Sequence, residues 1–166
     1  MFLTGYHGAT KEKANRIERE GKFPLSHGNK EWLGDGIYFY FSISDAYDWR
    51  TSDVIYHTVI KVNDDEYFDL DTREGKQLVT KIVEYICSQK VSNRPNWRTI
   101  QENQYAVMQM IWDTYPKLRV MSATFHREQT KIPLLIDPRS TRKEFCVRDN
   151  SSIKHRCLIE RSELDD

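Results

Sequence analysis

Apolar positions along this chain change period twice, and those changes divide it into a strand-rich beginning, a helical middle and a strand-rich end. Leu3 to His7 is short and aromatic enough for a strand, and Thr10 then caps a predicted helix that turns Ala14 and Ile17 inward and stops near Gly21. Ile37 to Phe41 reads as a second strand. Ser44 is suited to an N-cap, so a short helix bearing Tyr47 and Trp49 is expected to follow. Val54 to Val62 is β-branched and alternates poorly, the pattern of a buried strand, with Tyr67 to Leu70 as a partner for it.

Beyond Leu70 the spacing becomes helical. Leu78, Val79, Ile82, Val83 and Ile86 recur with a helix's period across Glu74 to Lys90, and Ile100, Val107, Met108, Ile111 and Tyr115 do so more loosely across Thr99 to Tyr115. Ser92 to Asn96, with Pro95 inside it, reads as the loop between these helices. Strand-like segments return at Arg119 to His126, Ile132 to Ile136, Glu144 to Arg148 and Arg156 to Glu160. Sheet-forming segments at both ends around a helical middle predict an α+β layout.

Composition narrows the choice further. A chain of 166 residues suits one domain, 1–166, with a real core. Lys plus Arg and Asp plus Glu number 25 each, so no global field recruits nucleic acid or an anionic membrane, and any such attraction is local. Three cysteines, Cys87, Cys146 and Cys157, without a CxxC pair, argue against a disulfide framework or a zinc site and for a reducing compartment. The amino terminus lacks a basic and apolar leader, and no run approaches a membrane span, so a soluble, cytoplasmic protein is expected. No phosphate-binding loop, metal-ligand cluster or nucleophile elbow offers a competing chemistry, and no metal is expected.

The chemistry gathers at three places. Gly34-Asp35-Gly36 runs into Ile37-Tyr38-Phe39-Tyr40-Phe41: a glycine turn beside an aromatic surface, where Tyr38 offers a ring to stack on and a hydroxyl to bond with. Upstream, Tyr6-His7-Gly8-Ala9-Thr10 places a histidine at the end of the first strand. Downstream, Glu144-Phe145-Cys146-Val147-Arg148-Asp149 opens a strand on a carboxylate. A His-Gly pair, then Gly-x-Gly-Ile-Tyr-Phe, then Glu-Phe-x-Val-x-Asp, in that order, resembles the His-Tyr-Glu signature of ADP-ribosyltransferases of the diphtheria-toxin and PARP-like branch. The resemblance spans Tyr6 to Asp149, and its middle motif is the most specific.

That resemblance implies a split β-sheet with a central NAD cleft and flanking helices. It also implies NAD as co-substrate, with cleavage of the bond between nicotinamide and ribose. The catalytic set would be His7, Tyr38 and Glu144. His7 would bond the adenosine ribose, the Gly8 backbone the nicotinamide amide, and the Tyr38 ring would stack under the nicotinamide. Glu144 would bond a hydroxyl of the nicotinamide ribose and orient or activate the acceptor, because charge develops on the sugar as the bond breaks. A second aromatic platform would come from Tyr47 or Trp49, and Thr10 would touch the dinucleotide or cap its helix. Ala9 departs from the family pattern, which has a small hydroxyl residue after His-Gly. The short domain favours transfer of a single ADP-ribose.

For the acceptor, Asp137 to Lys143 is a turn-forming loop with Arg139, Arg142 and Lys143, facing the acceptor in the family it resembles. Arg94, Arg98, Lys117, Arg119, Arg127 and Lys131 add cations, and Tyr40, Trp97 and Trp112 add rings suited to bases. The reading leans to RNA or DNA over protein. Small transferases of this kind resemble the toxins of toxin–antitoxin and phage-defence systems, which implies a neutralising antitoxin partner and no membrane. Two alternatives stay open: an NAD glycohydrolase, and a catalytically silent module that binds ADP-ribose or nucleic acid.

Overall fold

The computed structural model describes residues 1–28, 30–48, 52–88, 100–126 and 141–160. Strand β1, Phe2–Ala9, leads into helix α1, Lys11–Glu20. The Thr10 hydroxyl accepts the Lys13 amide at 3.3 Å, and Gly21, at φ 67°, returns its own amide to the Ile17 carbonyl at 2.8 Å. Both ends of α1 are thus closed by the residues expected to close them, and Ala14 and Ile17 are buried. Strand β2, Ile37–Tyr40, helix α2, Ile43–Tyr47, and strand β3, Val54–Lys61, follow. The cap of α2 is Ser42, two residues before the expected Ser44: Ser42 is the extended residue, and its carbonyl accepts the Ala46 amide at 3.3 Å.

Strand β4, Tyr67–Asp69, precedes helices α3, Arg73–Ser88, and α4, Ile100–Thr114; strands β5, Val120–His126, β6, Thr141–Val147, and β7, Ile153–Glu160, complete the order. The result is a mixed α+β fold on one seven-stranded sheet, ordered β4-β5-β6-β2-β1-β3-β7. Two expectations are corrected. Tyr67–Asp69 pairs in parallel with β5 and not with β3, because β1 and β7 already occupy both edges of β3. Glu144 stands inside β6 and not at its opening, because Thr141, Arg142 and Lys143 are already paired with β5. The expected strand Ile132 to Ile136 and the loop Ser92 to Asn96 lie outside the described residues.

Strand alternation sends side chains into two cores, one on each face. Ile37, Phe39, Phe145 and Val147 join Ala14, Ile17 and Phe23 in the first. Cys146, Met121 and Ala123 join Leu33, Ile111 and Trp112 in the second, with Tyr38 packed against it. Among the described residues no helix is long and apolar enough to cross a membrane.

Candidate active site

The sheet is narrowest where β1 meets β2. The β1–β3 ladder registers from Phe2↔Lys61 to Ala9↔Val54, while the β1–β2 register holds one pair, Tyr6↔Tyr40. Met1 and Val62 exchange both backbone bonds, at 2.6 and 3.1 Å. Antiparallel alternation from that pair directs the main-chain groups of Gly8 away from β3 and towards β2. On β2, the Phe41 amide donates to Lys143 in β6 at 3.3 Å, so the same alternation directs Tyr38 towards β1. Gly8 and Tyr38 would be the next pair, but the ladder ends before them. The Tyr38 carbonyl instead accepts from His7 Nδ1 at 2.8 Å.

A carbonyl only accepts, so Nδ1 carries the proton and Nε2 presents a lone pair. Burial lowers the pKa of His7, a bond to Tyr38 opposes this, and Lys13 adds to the lowering, which keeps the ring neutral. His7 approaches the seam from the face opposite Tyr40: its ring meets Phe23 and Phe39 at centroid distances of 5.2 and 5.7 Å. A β-carbon at Gly8 would collide with Ser52 Oγ and come within 2.8 Å of the Ala46 carbonyl, so only glycine lets α2 lie against the seam.

The two glycines of the turn act differently. Gly34 has φ 81°, and a β-carbon there would stand 3.0 Å from the Trp112 ring; Gly36 has no such φ but lies against Cys146 and 2.7 Å, by the same measure, from the Val147 carbonyl. The Tyr38 hydroxyl closes the turn, donating to the Gly34 carbonyl at 2.7 Å and accepting the Leu33 amide at 2.8 Å. Trp112 Nε1 donates to the Leu33 carbonyl at 2.8 Å. The sequence suggested that this hydroxyl would meet a ligand; it is engaged within the protein, and the ring alone is left for stacking. Burial raises the phenol's pKa far above its ordinary value.

Glu144 lies opposite Tyr40 of β2 and Ala123 of β5, on the same face as Tyr38. It is half-buried, and burial pushes its pKa up to about 7; Arg142 acts against this, Asp45 and Glu31 reinforce it, and a side-chain hydrogen bond with Tyr40 acts against it again. Arg142 is 5% exposed. Its Nη1 donates to the Asp45 carbonyl at 3.4 Å, its Nε lies 3.6 Å from Asp45 Oδ1 and its Nη2 3.7 Å from Asp48 Oδ2, so it fastens β6 to α2. The carboxylate of Glu31 is also half-buried with a raised pKa, chiefly from burial and then from Asp35, and it acts on both Tyr38 and Glu144.

The structure therefore brings Tyr38 and Glu144 onto one face of the sheet, whereas the His7 ring packs on the other with Phe23 and Phe39 and meets Tyr38 only through its main-chain carbonyl. Tyr47, half-buried, ends α2 beside Gly8's neighbour Ala46, whereas Trp49 lies outside the described residues. Thr10 serves as the cap of α1. Tyr40 and Arg142 were expected on the acceptor side, as a ring for bases and a loop cation, and stand instead beside Glu144; their positions two residues from Tyr38 and Glu144 carried the signal, since such residues share a face. Glu31 was missed and had no such signal.

The acceptor side differs more from expectation. Arg142 is buried, and Lys143 Nζ is held by Asp69 Oδ2 at 2.7 Å and Asp71 Oδ2 at 3.3 Å, so both belong to β6 and not to a free basic loop. Arg119 pairs with Asp149 at 3.1 Å, and Trp112 is buried in the core. Lys117 is exposed. Arg94, Trp97, Arg98, Arg127, Lys131 and Arg139 lie outside the described residues. Among the described residues no group of three or more His, Cys, Asp or Glu is arranged to hold a metal ion.

No protein-family model matches the chain, and no solved structure does. A stretch of 47 residues, 28% of the chain, is 40% identical to an uncharacterized protein of Methanocaldococcus jannaschii, and it covers 22% of that relative's length.

Proposed function

We propose that this chain is an NAD-dependent mono-ADP-ribosyltransferase of the His-Tyr-Glu type, with NAD as co-substrate and a split-sheet NAD cleft at the β1–β2 seam. The observation that carries this reading is the interrupted ladder, which leaves the Gly8 main chain facing the gap, with a neutral His7 at the seam from one face of the sheet and the Tyr38 ring on the other. A flat carboxamide ring stacks on Tyr38 while its amide bonds the Gly8 backbone. His7 Nε2 accepts a hydroxyl of the adenosine ribose. Glu144, in its charged form, accepts a hydroxyl of the nicotinamide ribose and stabilises the positive charge that grows on that sugar as nicotinamide leaves. Tyr47, at the end of α2, or Trp49 supplies the opposing platform. The acceptor is a macromolecule, RNA or DNA in preference to protein, and the biological role is that of a toxin in a toxin–antitoxin or phage-defence system, held in check by an antitoxin.

One observation favours a second reading. Arg142 and Lys143 are consumed by internal ion pairs, which removes two cations from the expected acceptor loop and so suits water as the acceptor and NAD hydrolysis as the reaction. NAD labelled in its adenosine, incubated with the protein and RNA, DNA or lysate protein, separates the two. Label on a macromolecule supports transfer, and label in free ADP-ribose alone supports hydrolysis. Intact NAD after prolonged incubation at several pH values would overturn both.

A further inference from the structure

The β2–β6 register does more than place Glu144 near Tyr38. It sets Tyr40 directly opposite Glu144, so the phenol and the carboxyl project side by side from neighbouring strands. Arg142, two residues before Glu144 on the same face, places its guanidinium carbon 5.8 Å from the centroid of the Tyr40 ring. The same guanidinium is buried, is held by Asp45 and Asp48 of the α2 region, and leaves Nε without a hydrogen-bond partner. A buried cation with an unsatisfied N–H is costly to maintain for packing alone. Here it fixes one side of the ring that stands directly across from Glu144.

We propose that Tyr40 is a positioning residue for Glu144: its hydroxyl holds the carboxyl group from the adjacent strand, while Arg142, anchored on α2, braces the phenol. The proposal rests on the reading of Glu144 as the charge-stabilising carboxylate. The groups facing Glu144 are Tyr40 from β2, Arg142 from its own strand, Asp45 from α2 and Glu31 from the turn before β2. Of these, Arg142 and Tyr40 favour the charged carboxylate, and Asp45 and Glu31 disfavour it. Among the described residues, removing the Tyr40 hydroxyl leaves Arg142 as the group favouring the charge, so the proton is held more tightly. A purely structural tyrosine would not move that equilibrium.

The variant is Tyr40→Phe, which keeps the ring under Arg142. Two measurements are made on the full chain: the pH dependence of kcat and KM for NAD consumption, and the titration of the Glu144 side-chain carboxyl by carbon-13 NMR, assigned with Glu144→Gln. Expected results are a fall in kcat of about tenfold near neutral pH with KM for NAD little changed, and an acid limb moved to higher pH. The carboxyl titration moves the same way. An unchanged titration midpoint in a folded Tyr40→Phe protein overturns the proposal whether or not the wild type consumes NAD. A shifted midpoint in a protein without NAD turnover would uphold the Tyr40–Glu144 coupling and reject the transferase reading instead.

Discussion

Along its β3 edge, β1 is paired at every residue from Phe2 to Ala9, whereas along its β2 edge the register consists of Tyr6↔Tyr40 alone. The closed edge is secured further from the side chains: Thr58 Oγ1 donates to the Gly5 carbonyl at 2.8 Å, and the Tyr56 hydroxyl reaches Glu18 at 3.0 Å. The open edge substitutes a histidine side chain for a backbone partner and leaves the Gly8 main chain facing the gap. One strand thus carries stability on one side and, in the function proposed above, recognition on the other. Substitutions at the closed edge should alter folding without altering turnover, and those at the open edge should do the reverse.

The largest expected effect lies one strand beyond the open edge, on β6, and it touches turnover and stability together. Glu144→Gln is expected to lower NAD turnover by on the order of 10²–10³ while NAD still binds, measured by steady-state kinetics and calorimetry. The same change should raise stability at alkaline pH. The Glu144 pKa is raised from 4.5 to about 7, so the folded state binds more protons than the unfolded state between those values, and wild-type stability falls as pH rises through that window. Glutamine has no such slope. The variant should gain on the order of 2 kcal/mol at pH 8, a figure discounted for the partial exposure of Glu144, and nothing at pH 4, as read from urea unfolding at each pH. Equal slopes for both proteins would refute the raised pKa.

Next in size is His7→Asn, whose side-chain amide keeps a donor for the Tyr38 carbonyl but removes the Nε2 lone pair. KM for NAD should rise about tenfold with thermal stability nearly unchanged. At the closed edge, Thr58→Val should cost about 1 kcal/mol in unfolding and leave KM for NAD at the wild-type value, since it deletes a buried bond with no contact to the seam. The smallest effect belongs to Thr10→Ala, which removes the α1 cap and costs at most about 1 kcal/mol. A changed KM for NAD in that variant would return Thr10 to the dinucleotide site.

Helix α1 was legible to the residue because both of its ends are closed by local chemistry, a hydroxyl and a left-handed glycine. The cap of α2 was not, since Ser42 and Ser44 carry the same chemistry and Ser42 caps by its extended backbone alone, with no side-chain bond to mark it. Strand β4 was found but assigned the wrong neighbour: pairing depends on which edges are already taken, a fact of the whole sheet and not of any segment. The three motifs of the candidate site were visible as residue types. The engagement of the Tyr38 hydroxyl with Leu33 and Gly34 was not, because it depends on the turn curling back over its own strand. Arg142 and Lys143 read as loop cations for a related reason, since their partners Asp45 and Asp69 are distant in the chain.

Cys146 lies fully buried beneath Gly36, where a β-carbon would strike its sulfur, and burial lifts its thiol well above the ordinary cysteine range. An electrophile reaches that sulfur only after the core formed by Leu33, Ile111, Trp112 and Met121, or the glycine turn above it, has opened. The exposed Cys157 reacts without any such opening. The two sulfurs therefore work as a slow clock and a fast one inside a single chain, and the ratio of their alkylation rates records how often the packing under that turn comes apart.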